Sequence, residues 1–463
     1  MVRLFRVFVP TSVLALLISE TILIFSCYIL ATFFVLESDP SIYVLYDGGW
    51  ARISLVVACV MVGIYFHDLY TQFRIKSRIL LLQQVCLVVG IAFLTQALLG
   101  YLKLPEWILP RWPMILGSAL VLILLPAWRI FYATIVMSAL GSERVLFLGA
   151  SSLVQEISEY IAENPEFGLS SLGYLDDCLN PSPPLAIPRI GCISDLSKAV
   201  QELKPDRIVV GMAERRGRLP VNELLDLRFT GIRIEDALTT YESTFGRVCV
   251  RELRPSQLIF SAELGPRPSR VFRQSIYSFV IALFATILTL PIMLLVAVIV
   301  RVSSAGPVFY RQVRVGRDGE PFTLYKFRSM YVNAEAKTGA VWAIKDDPRV
   351  TPAGRWLRKL RLDELPQLLN VVRGEMSIVG PRPERPEFVE TLTEKIPYYR
   401  QRHCVKPGIT GWAQINLKYG DSLEDTIKKL EYDLFYIKNL AASLDAYIIF
   451  HTMKVMLLSR GAQ

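Results

Sequence analysis

The chain has little from which to build a disulfide or metal framework. Its seven cysteines (Cys27, Cys59, Cys86, Cys178, Cys192, Cys249 and Cys404) are scattered over 463 residues, none in a CxxC pair, and three lie in apolar runs. That excludes a disulfide scaffold or a structural zinc site and fits a reducing compartment. The three histidines, His67, His403 and His451, are far apart and read as structural residues rather than ligands. There are no internal repeats, low-complexity tracts or nucleic-acid-binding motifs. Charge is also scarce. Charged residues make up 20% of the chain against 52% hydrophobic, and the mean hydropathy of +0.38 is too high for an ordinary soluble protein.

The apolar residues are concentrated. Four segments, roughly 11–36, 51–70, 79–102 and 113–137, each approach the ~20 residues that cross a bilayer. Arg3 and Arg6 precede the first, which is too long for a signal-peptide core and shows no small-residue cleavage site, so it reads as an uncleaved helix. The first loop carries Glu37, Asp39 and Asp47, and the second carries Arg74, Lys76 and Arg78. The positive-inside rule puts the second loop in the cytoplasm, so four crossings leave the N-terminus and everything after Arg144 inside. The main polar residues expected within these helices are Gln83, Gln84 and Gln96, too few to favour a transport pathway. The net charge of +9 suits an anionic membrane surface or phosphorylated substrates better than nucleic acid.

Residues 144–240 change character. RVLFLGASS reads as a buried strand ending in a tight turn, LVQEISEYIAEN as a helix, and DRIVVGM (206–212) as a second strand. This is a Rossmann-like pattern, but Gly149-Ala150-Ser151-Ser152 lacks the GxGxxG fingerprint that admits a pyrophosphate. A degenerate domain serving regulation or dimer contacts is the favoured reading over a working dinucleotide site. Residues 241–270, rich in Arg, Pro and Ser, read as a connector. A fifth apolar run, 276–300, is interrupted by Pro291, and the 15 residues before that proline extend about 22 Å, short of a ~30 Å hydrocarbon core. A re-entrant helix over about 272–300, kinked at Pro291, keeps the remainder of the chain on the cytoplasmic side. A kinked crossing helix is the alternative.

The densest cluster of chemistry lies in 361–386, RLDELPQLLNVVRGEMSIVGPRPERP. Leu365, Leu368, Leu369 and Val372 form a helical stripe, Pro366 falls in its first turn, and Gly374 stops it. Asp363 stands at the N-cap position, which is its simplest explanation. However, Asp363 and Glu364 sit among Arg358, Lys359, Arg361 and Arg382, the last between two prolines. Acids among so many cations, at a helix N-terminus, suggest a site for a metal and phosphates. Lys326 and Arg328 alternate with Tyr325 and Phe327, as on a strand presenting cations to one face. Farther on, 423–438 reads as an amphipathic helix and 444–458 as a last apolar helix at the membrane interface.

Four motifs in order, GPVFYRQVRVG (306–316), YKFRSM (325–330), LRLDELPQLLNVVRGEMSIVGPRP (360–383) and KPGITGWAQIN (406–416), resemble the bacterial sugar transferase family over about the last 190 residues. The resemblance implies a polyprenyl-phosphate sugar-1-phosphate transferase that starts cell-surface glycan assembly, such as exopolysaccharide, O-antigen or capsule, in the bacterial inner membrane. It would take sugar-1-phosphate from a UDP-sugar and release UMP. It also implies a re-entrant helix, although the family often has Ser before this proline where Leu290 stands here. Related large transferases carry a similar accessory middle domain. The expected fold is therefore a membrane protein with four transmembrane helices (1–140), a Rossmann-like α/β domain (144–240), the connector, and a monotopic α-rich catalytic domain (271–463). A homodimer is expected, because the middle domain has no evident catalytic work.

The obstacle in such a reaction is attack by an anion on an anionic diphosphate, so charge neutralisation and positioning should dominate. Mg²⁺ fits as the metal, held by Asp363 and Glu364 with phosphate oxygens. Two routes suit the residues: Asp363 attacks the β-phosphorus covalently, or an already ionised lipid phosphate attacks directly. The resemblance implies the covalent route, with Asp363 as nucleophile and Glu364 assisting the metal or positioning. Arg382 is then the phosphate clamp, and Lys326, Arg328 and Arg361 are further phosphate contacts. Gly408, Thr410, Gly411 and Gln414 shape the nucleotide-sugar pocket. An NAD-dependent nucleotide-sugar-modifying enzyme would need the missing glycine fingerprint. A non-enzymatic scaffold of an export complex is the other alternative.

Overall fold

A computed structural model describes residues 2–457 except 5, 37–38, 68, 71–77, 137–141, 165–167, 178–184, 213–217, 254–264, 333, 335–346 and 418–421. Glu37, Arg74, Lys76 and Cys178 therefore lie outside the described residues. The chain forms two compact units, one comprising Met1–Val2 and Phe8–Ala237, the other Arg3–Val7 and Leu238–Gln463.

In the first unit, the four apolar runs become α1 (Thr11–Val35), α2 (Gly49–Phe66), α3 (Arg78–Tyr101) and α4 (Arg111–Phe131). Ile24, Tyr28, Ile53, Val60, Val88, Val121 and Leu125 bury themselves between these helices. Meanwhile Ile22, Leu94 and Ile123 point outward, as in helices with an apolar exterior solvent. Close approach is built in at Gly117, where a Cβ would meet the Tyr28 ring at 2.3 Å. The polar content differs from the expectation. Besides the buried Gln96, Glu20 and Arg129 pair directly, Nε to Oε1 at 2.6 Å, and Tyr70 donates to Glu20 Oε2 at 2.8 Å. Arg129 spends Nη1 on the Leu69 carbonyl at 2.8 Å, so this charge is satisfied among these helices.

The Rossmann-like expectation holds in topology. Strands β1 (Glu143–Leu148), β2 (Leu169–Leu175), β3 (Arg189–Gly191), β4 (Arg207–Val210) and β5 (Arg233–Asp236) form one all-parallel sheet in the order β3-β2-β1-β4-β5. Reading outward from β1, this is the first five positions of a doubly wound dinucleotide fold. Helices α5 (Ser152–Glu163), α6 (Leu196–Leu203) and α7 (Val221–Phe229) follow β1, β3 and β4. The turn after β1 is filled from within. Ala150 N–H donates to Asp176 Oδ2 at 2.6 Å, placing a carboxylate where a phosphate would accept, and a Cβ on Gly149 would meet Met212 at 2.5 Å.

The second unit begins earlier than the sequence suggested. The stretch 241–253 is not a free connector: Val248 and Val250 enter a core with Trp412, Leu434, Phe435 and Ile448. Glu431 accepts from Val250 N–H at 3.2 Å and Tyr241 Oη at 3.3 Å. A 36-residue helix, α8 (Pro268–Ser303), contains Pro291. A hairpin of β6 (Phe309–Val315) and β7 (Pro321–Phe327) follows, pairing Tyr310 with Lys326. Next come α9 (Pro352–Lys359), a 3₁₀ turn (Leu362–Glu364) and α10 (Gln367–Val372). Short strands β8 (Ser377–Val379) and β9 (Gly408–Thr410) pair in parallel, and helices α11 (Leu423–Lys438) and α12 (Ala442–Leu457) close the order. Among the described residues, five stretches are long and apolar enough to cross a membrane: α1, α2, α3, the stretch Pro105–Thr134 containing α4, and α8.

Both arms of α8 pack on this unit. Ala282 sits with Leu324, Leu368 and Met376, and Met293, Val296 and Val300 sit with Phe327 and Leu357. Leu365 touches both groups. Gln274 of the first arm donates to the Val379 carbonyl at 3.2 Å and to Asp445 at 2.8 Å. By contrast, Ile287, Leu288, Leu290, Ile292, Leu294 and Leu295, around Pro291, are exposed. Thr286 and Thr289 bond back to the Ala282 and Ala285 carbonyls, a habit that bends helices, and Pro291 removes one rung of the ladder.

Candidate active site

The site is built where the 3₁₀ turn 362–364 meets β7 and the Pro381-Arg382-Pro383 segment. Arg361 takes a left-handed backbone (φ +53°) after α9, which turns the chain sharply into Leu362-Asp363-Glu364. Asp363 is thus inside the turn rather than at a helix N-cap. Helix α10 starts after Pro366 without a side-chain cap. Gly374 ends it as expected, with φ +82°.

Glu364 is the hub. Lys326 Nζ lies 3.0 Å and Arg382 Nη2 3.2 Å from its Oε1, and Arg361 Nη1 lies 3.9 Å from its Oε2. Burial pushes this carboxyl up, but Lys326, Arg382 and Arg361 together outweigh it and hold it well below the usual range. Asp363, only 8% exposed, moves the other way. Burial raises its carboxyl, the Glu364 charge adds to that, and Lys326 and Arg358 offset it only in part. Two adjacent carboxyls pushed in opposite directions divide the labour: a committed anion that organises the cations, and a more basic one beside them.

Arg382 is held with unusual completeness. Gly408 N–H donates to the Pro381 carbonyl at 3.0 Å, Arg402 Nη2 to that of Arg382 at 2.9 Å, Arg314 Nη1 to that of Pro383 at 3.0 Å, and Val315 N–H to that of Glu384 at 2.9 Å. Four consecutive carbonyls are therefore satisfied, while the two prolines restrict the backbone. Arg402 is itself fixed by Asp433, Nη2 to Oδ2 at 2.8 Å, with both side chains 2% exposed. Sequence reasoning did not find Arg402, Asp433 or Arg314. Their role is tertiary, and only the position of Arg402 just before KPGITG hinted at it.

Of the expected site residues, the structure brings together Asp363, Glu364, Lys326, Arg361 and Arg382. Arg328 is elsewhere: Nη1 donates to the Ala305 carbonyl at 2.9 Å and Nη2 to that of Ser304 at 2.6 Å, so it closes the end of α8 instead of meeting phosphate. A Cβ on Gly306 (φ +124°) would collide with Arg328 Nη1 at 2.0 Å. The glycine-rich loop forms the floor beneath the Arg382 segment. Gly408 and Gly411 let β9 come so close to Gly380 that a Cβ would meet its backbone at 2.1 Å and 2.3 Å. Thr410 shares a hydrogen bond with Thr452 at 2.7 Å, and Gln414 Nε2 reaches the Ile409 carbonyl at 3.3 Å.

For a metal, the donor set is small. Among the described residues no group of three or more His, Cys, Asp or Glu gathers. Glu364 Oε1 is engaged by two cations, so the candidate donors are Asp363 and, with Arg361 at 3.9 Å, Glu364 Oε2. One or two carboxylates suit Mg²⁺ when phosphate oxygens and water complete the shell.

The model of the bacterial sugar transferase family matches residues 269–459. The chain is 43% identical over 222 residues to a UDP-N-acetylgalactosamine-undecaprenyl-phosphate N-acetylgalactosaminephosphotransferase of Aeromonas hydrophila, covering 48% of this chain and 52% of that one. It is 36% identical over 318 residues to a UDP-glucose:undecaprenyl-phosphate glucose-1-phosphate transferase of Klebsiella pneumoniae, covering 68% and 67%. It is 45% identical over 182 residues to the uncharacterized sugar transferase EpsL of Bacillus subtilis, covering 39% of this chain and 86% of that shorter one. The chain thus spans about half the length of the first relative and two thirds of the second. With the family match lying over the Asp363–Glu364 site and two thirds of a long relative aligned at 36% identity, the chain belongs to the bacterial sugar transferase family.

Proposed function

We propose that this protein transfers a sugar-1-phosphate from a UDP-sugar to a polyprenyl phosphate, the acceptor that its relatives' names give as undecaprenyl phosphate. The reaction would be the first membrane step of a surface glycan such as exopolysaccharide, O-antigen or capsule. The observation that carries this reading is a buried, basic Asp363 beside a Glu364 that gathers Lys326, Arg361 and Arg382. Such a cation array suits a diphosphate, whose negative charge is the main barrier to attack.

In this proposal an Asp363 carboxylate oxygen attacks the β-phosphorus. The bond from that phosphorus to the bridging oxygen breaks, and UMP departs with the electron pair. A polyprenyl phosphate oxygen then attacks the same phosphorus and expels the Asp363 carboxylate, giving a polyprenyl diphosphosugar. Arg382 and Lys326 balance the phosphate charge through both steps, and Glu364 keeps these cations in place. Asp363 and Glu364 Oε2 would hold Mg²⁺, which supplies further neutralisation of the phosphate oxygens. The Gly408–Gly411 loop and Gln414 support the nucleotide-sugar side from below.

The membrane arrangement belongs to the same proposal. Helices α1 to α4 form a four-helix transmembrane bundle, and α8 is re-entrant. A straight 36-residue helix would extend roughly 54 Å, far beyond a ~30 Å hydrocarbon core. Leu365 packs against both clusters that α8 joins on either side of Pro291, exposed apolar residues surround that proline, and arginines stand at both ends of the helix (Arg267, Arg270 and Arg273 at the start, Arg301 at the end). Positive charge at both ends favours the cytoplasmic side for each. The catalytic domain then works on the cytoplasmic face of the inner membrane, and the middle domain serves regulation or a homodimer.

The test uses purified protein with Mg²⁺ and undecaprenyl phosphate, reading UMP release from a panel of UDP-sugars that includes UDP-glucose and UDP-N-acetylgalactosamine. The wild type is expected to release UMP with at least one sugar and Asp363→Asn to release none. Undiminished release by Asp363→Asn would remove the site assignment.

A further inference from the structure

Strand β7 delivers Lys326 to Glu364, but its pairing with β6 fixes only the hairpin itself. The other edge of β7 meets α10 through the side chain of Asn370, which is 0% exposed. Asn370 Oδ1 accepts from Tyr325 N–H at 3.1 Å, and Nδ2 donates to the Thr323 carbonyl at 2.7 Å. One amide thus supplies the acceptor and the donor that a neighbouring strand would have supplied. Nδ2 also donates to Glu375 Oε2 at 2.7 Å, and a carboxylate, which can only accept, fixes which way the amide faces. The Asn370 carbonyl is used as well, by Glu375 N–H at 3.0 Å and Met376 N–H at 3.3 Å. Leu324 packs with Leu368 and Val371, and Arg373 lies over the Tyr325 ring. Apolar contact has no direction, whereas the amide fixes a register.

The placement matters because Tyr325 is the residue before Lys326. Lys326 Nζ reaches Glu364 Oε1 at 3.0 Å, the same oxygen that Arg382 Nη2 meets at 3.2 Å. A slip of β7 by one residue would turn Lys326 to the other face of the hairpin, and a smaller shift would draw its ammonium away from that oxygen. We propose that Asn370 is a positioning residue for the transfer. Its amide, oriented by Glu375, sets the place of β7 against α10 and so holds the Lys326 ammonium beside Glu364. Asn370 brings no charge to the site and acts through Lys326. The effect on turnover rests on the transferase reading, but the link between Asn370 and Lys326 can also be read in stability.

The full chain is purified with Mg²⁺ as wild type, Asn370→Ala, Lys326→Met, both together, and Val371→Ala alone and with Lys326→Met. Val371 lies in the same cluster as Leu324 and its side chain cannot hydrogen-bond, so Val371→Ala loosens the packing of α10 on β7 and leaves the amide in place. UMP release gives kcat and the KM for the UDP-sugar, and thermal unfolding gives Tm. A misplaced group that is needed in the transition state costs on the order of 10²-fold, so Asn370→Ala should lower kcat and kcat/KM together by about that much with KM little changed. Asn370→Ala and Lys326→Met remove one function, so together they should lose far less than the product of the single losses. Likewise, Lys326→Met should lower Tm by less in the Asn370→Ala chain than in wild type. Val371→Ala should lower Tm while kcat is kept, and its effects should add to those of Lys326→Met. Losses of Asn370→Ala and Lys326→Met that multiply, or a fall in kcat as large in Val371→Ala as in Asn370→Ala at equal loss of Tm, overturn the proposal. If Asn370→Ala does not fold, Glu375→Ala, which frees the amide to turn Nδ2 toward the Tyr325 N–H, is judged by the same criteria. If the wild type releases no UMP from any UDP-sugar, the transferase reading fails, and the coupling of Asn370 with Lys326 in Tm alone decides the positioning role.

Discussion

At the scale of the residue, adjacent carboxyls with opposite environments lead to opposite stability effects. The folded-state pKa of Asp363 is raised, so its neutral form is favoured by folding and stability is lost as pH rises through that pKa. At neutral pH, Asp363→Asn is therefore expected to keep or raise Tm while abolishing transfer. Glu364 is depressed, so its contribution is present above the unfolded carboxylate pKa and is lost on acidification. Glu364→Gln should lower both Tm and activity, and thermal unfolding of the two purified variants beside wild type checks the sign. The same shift predicts a pH profile. Asp363 must be ionised to attack, so the acid limb of kcat/KM should lie above the ~3.9 of a free aspartate and should move higher in Lys326→Met, which removes the largest attractive charge. A limb that does not respond to Lys326→Met would assign it to another group.

Positioning residues differ from these in how they fail. Arg402 and Asp433 are a buried pair whose guanidinium also holds the Arg382 carbonyl. Asp433→Asn leaves a buried cation without its counter-charge, at a cost of about 3–5 kcal/mol. A fall in Tm is expected together with a raised KM for the UDP-sugar. A loss of activity at unchanged Tm would contradict a positioning role. The motif around Asp363 was legible because catalytic acids and their cations lie close in sequence. Arg402, Arg314 and Asp433 were not, because their meeting depends on β8 pairing with β9 and on α11 packing against the Tyr399–Cys404 segment. Arg328 misled for the same reason: strand alternation places a cation on a face but does not say which carbonyls wait there.

At the scale of the element, period and length were good guides and termini were less so. The apolar runs at 11–36, 51–70 and 79–102 matched their helices to within a few residues, because a membrane-length apolar stretch has few other stable forms. The acid at position 20 and the arginine at 129 stood inside such runs, and an ion pair between them was readable in principle from the cost of leaving either alone. For α8, the sequence supplied Pro291 but could not show that Leu365 packs against the clusters joined by both of its arms. If α8 is re-entrant, Ser269→Cys and Ser303→Cys, read against the parent's native thiols, should both react with a membrane-impermeant maleimide from the cytoplasmic side of inverted vesicles. Labelling of the two from opposite sides would make α8 a crossing helix.

At the scale of the whole molecule, the two units divide the chain near Ala237, and every residue of the proposed site falls in the second. That unit has its own cores, one around Trp412 and Phe435 and others where α8 meets β7, α9 and α10. It also contains both arms of the proposed membrane hairpin. The middle domain, by contrast, has the strand order of a dinucleotide fold but carries Asp176 at the turn where a phosphate would bind. A second anion there would be repelled, so NAD is expected to cause no thermal shift. The family match, residues 269–459, lies wholly within the second unit and leads to the same division. A truncated chain starting at Leu238 should therefore insert into membranes and release UMP from the same UDP-sugar as the full chain. Its kcat should fall within about ten-fold of the parent, since the groups that neutralise the diphosphate all remain. If the truncated chain is folded yet inactive, the first unit must contribute to catalysis directly, and the accessory reading of the middle domain is wrong.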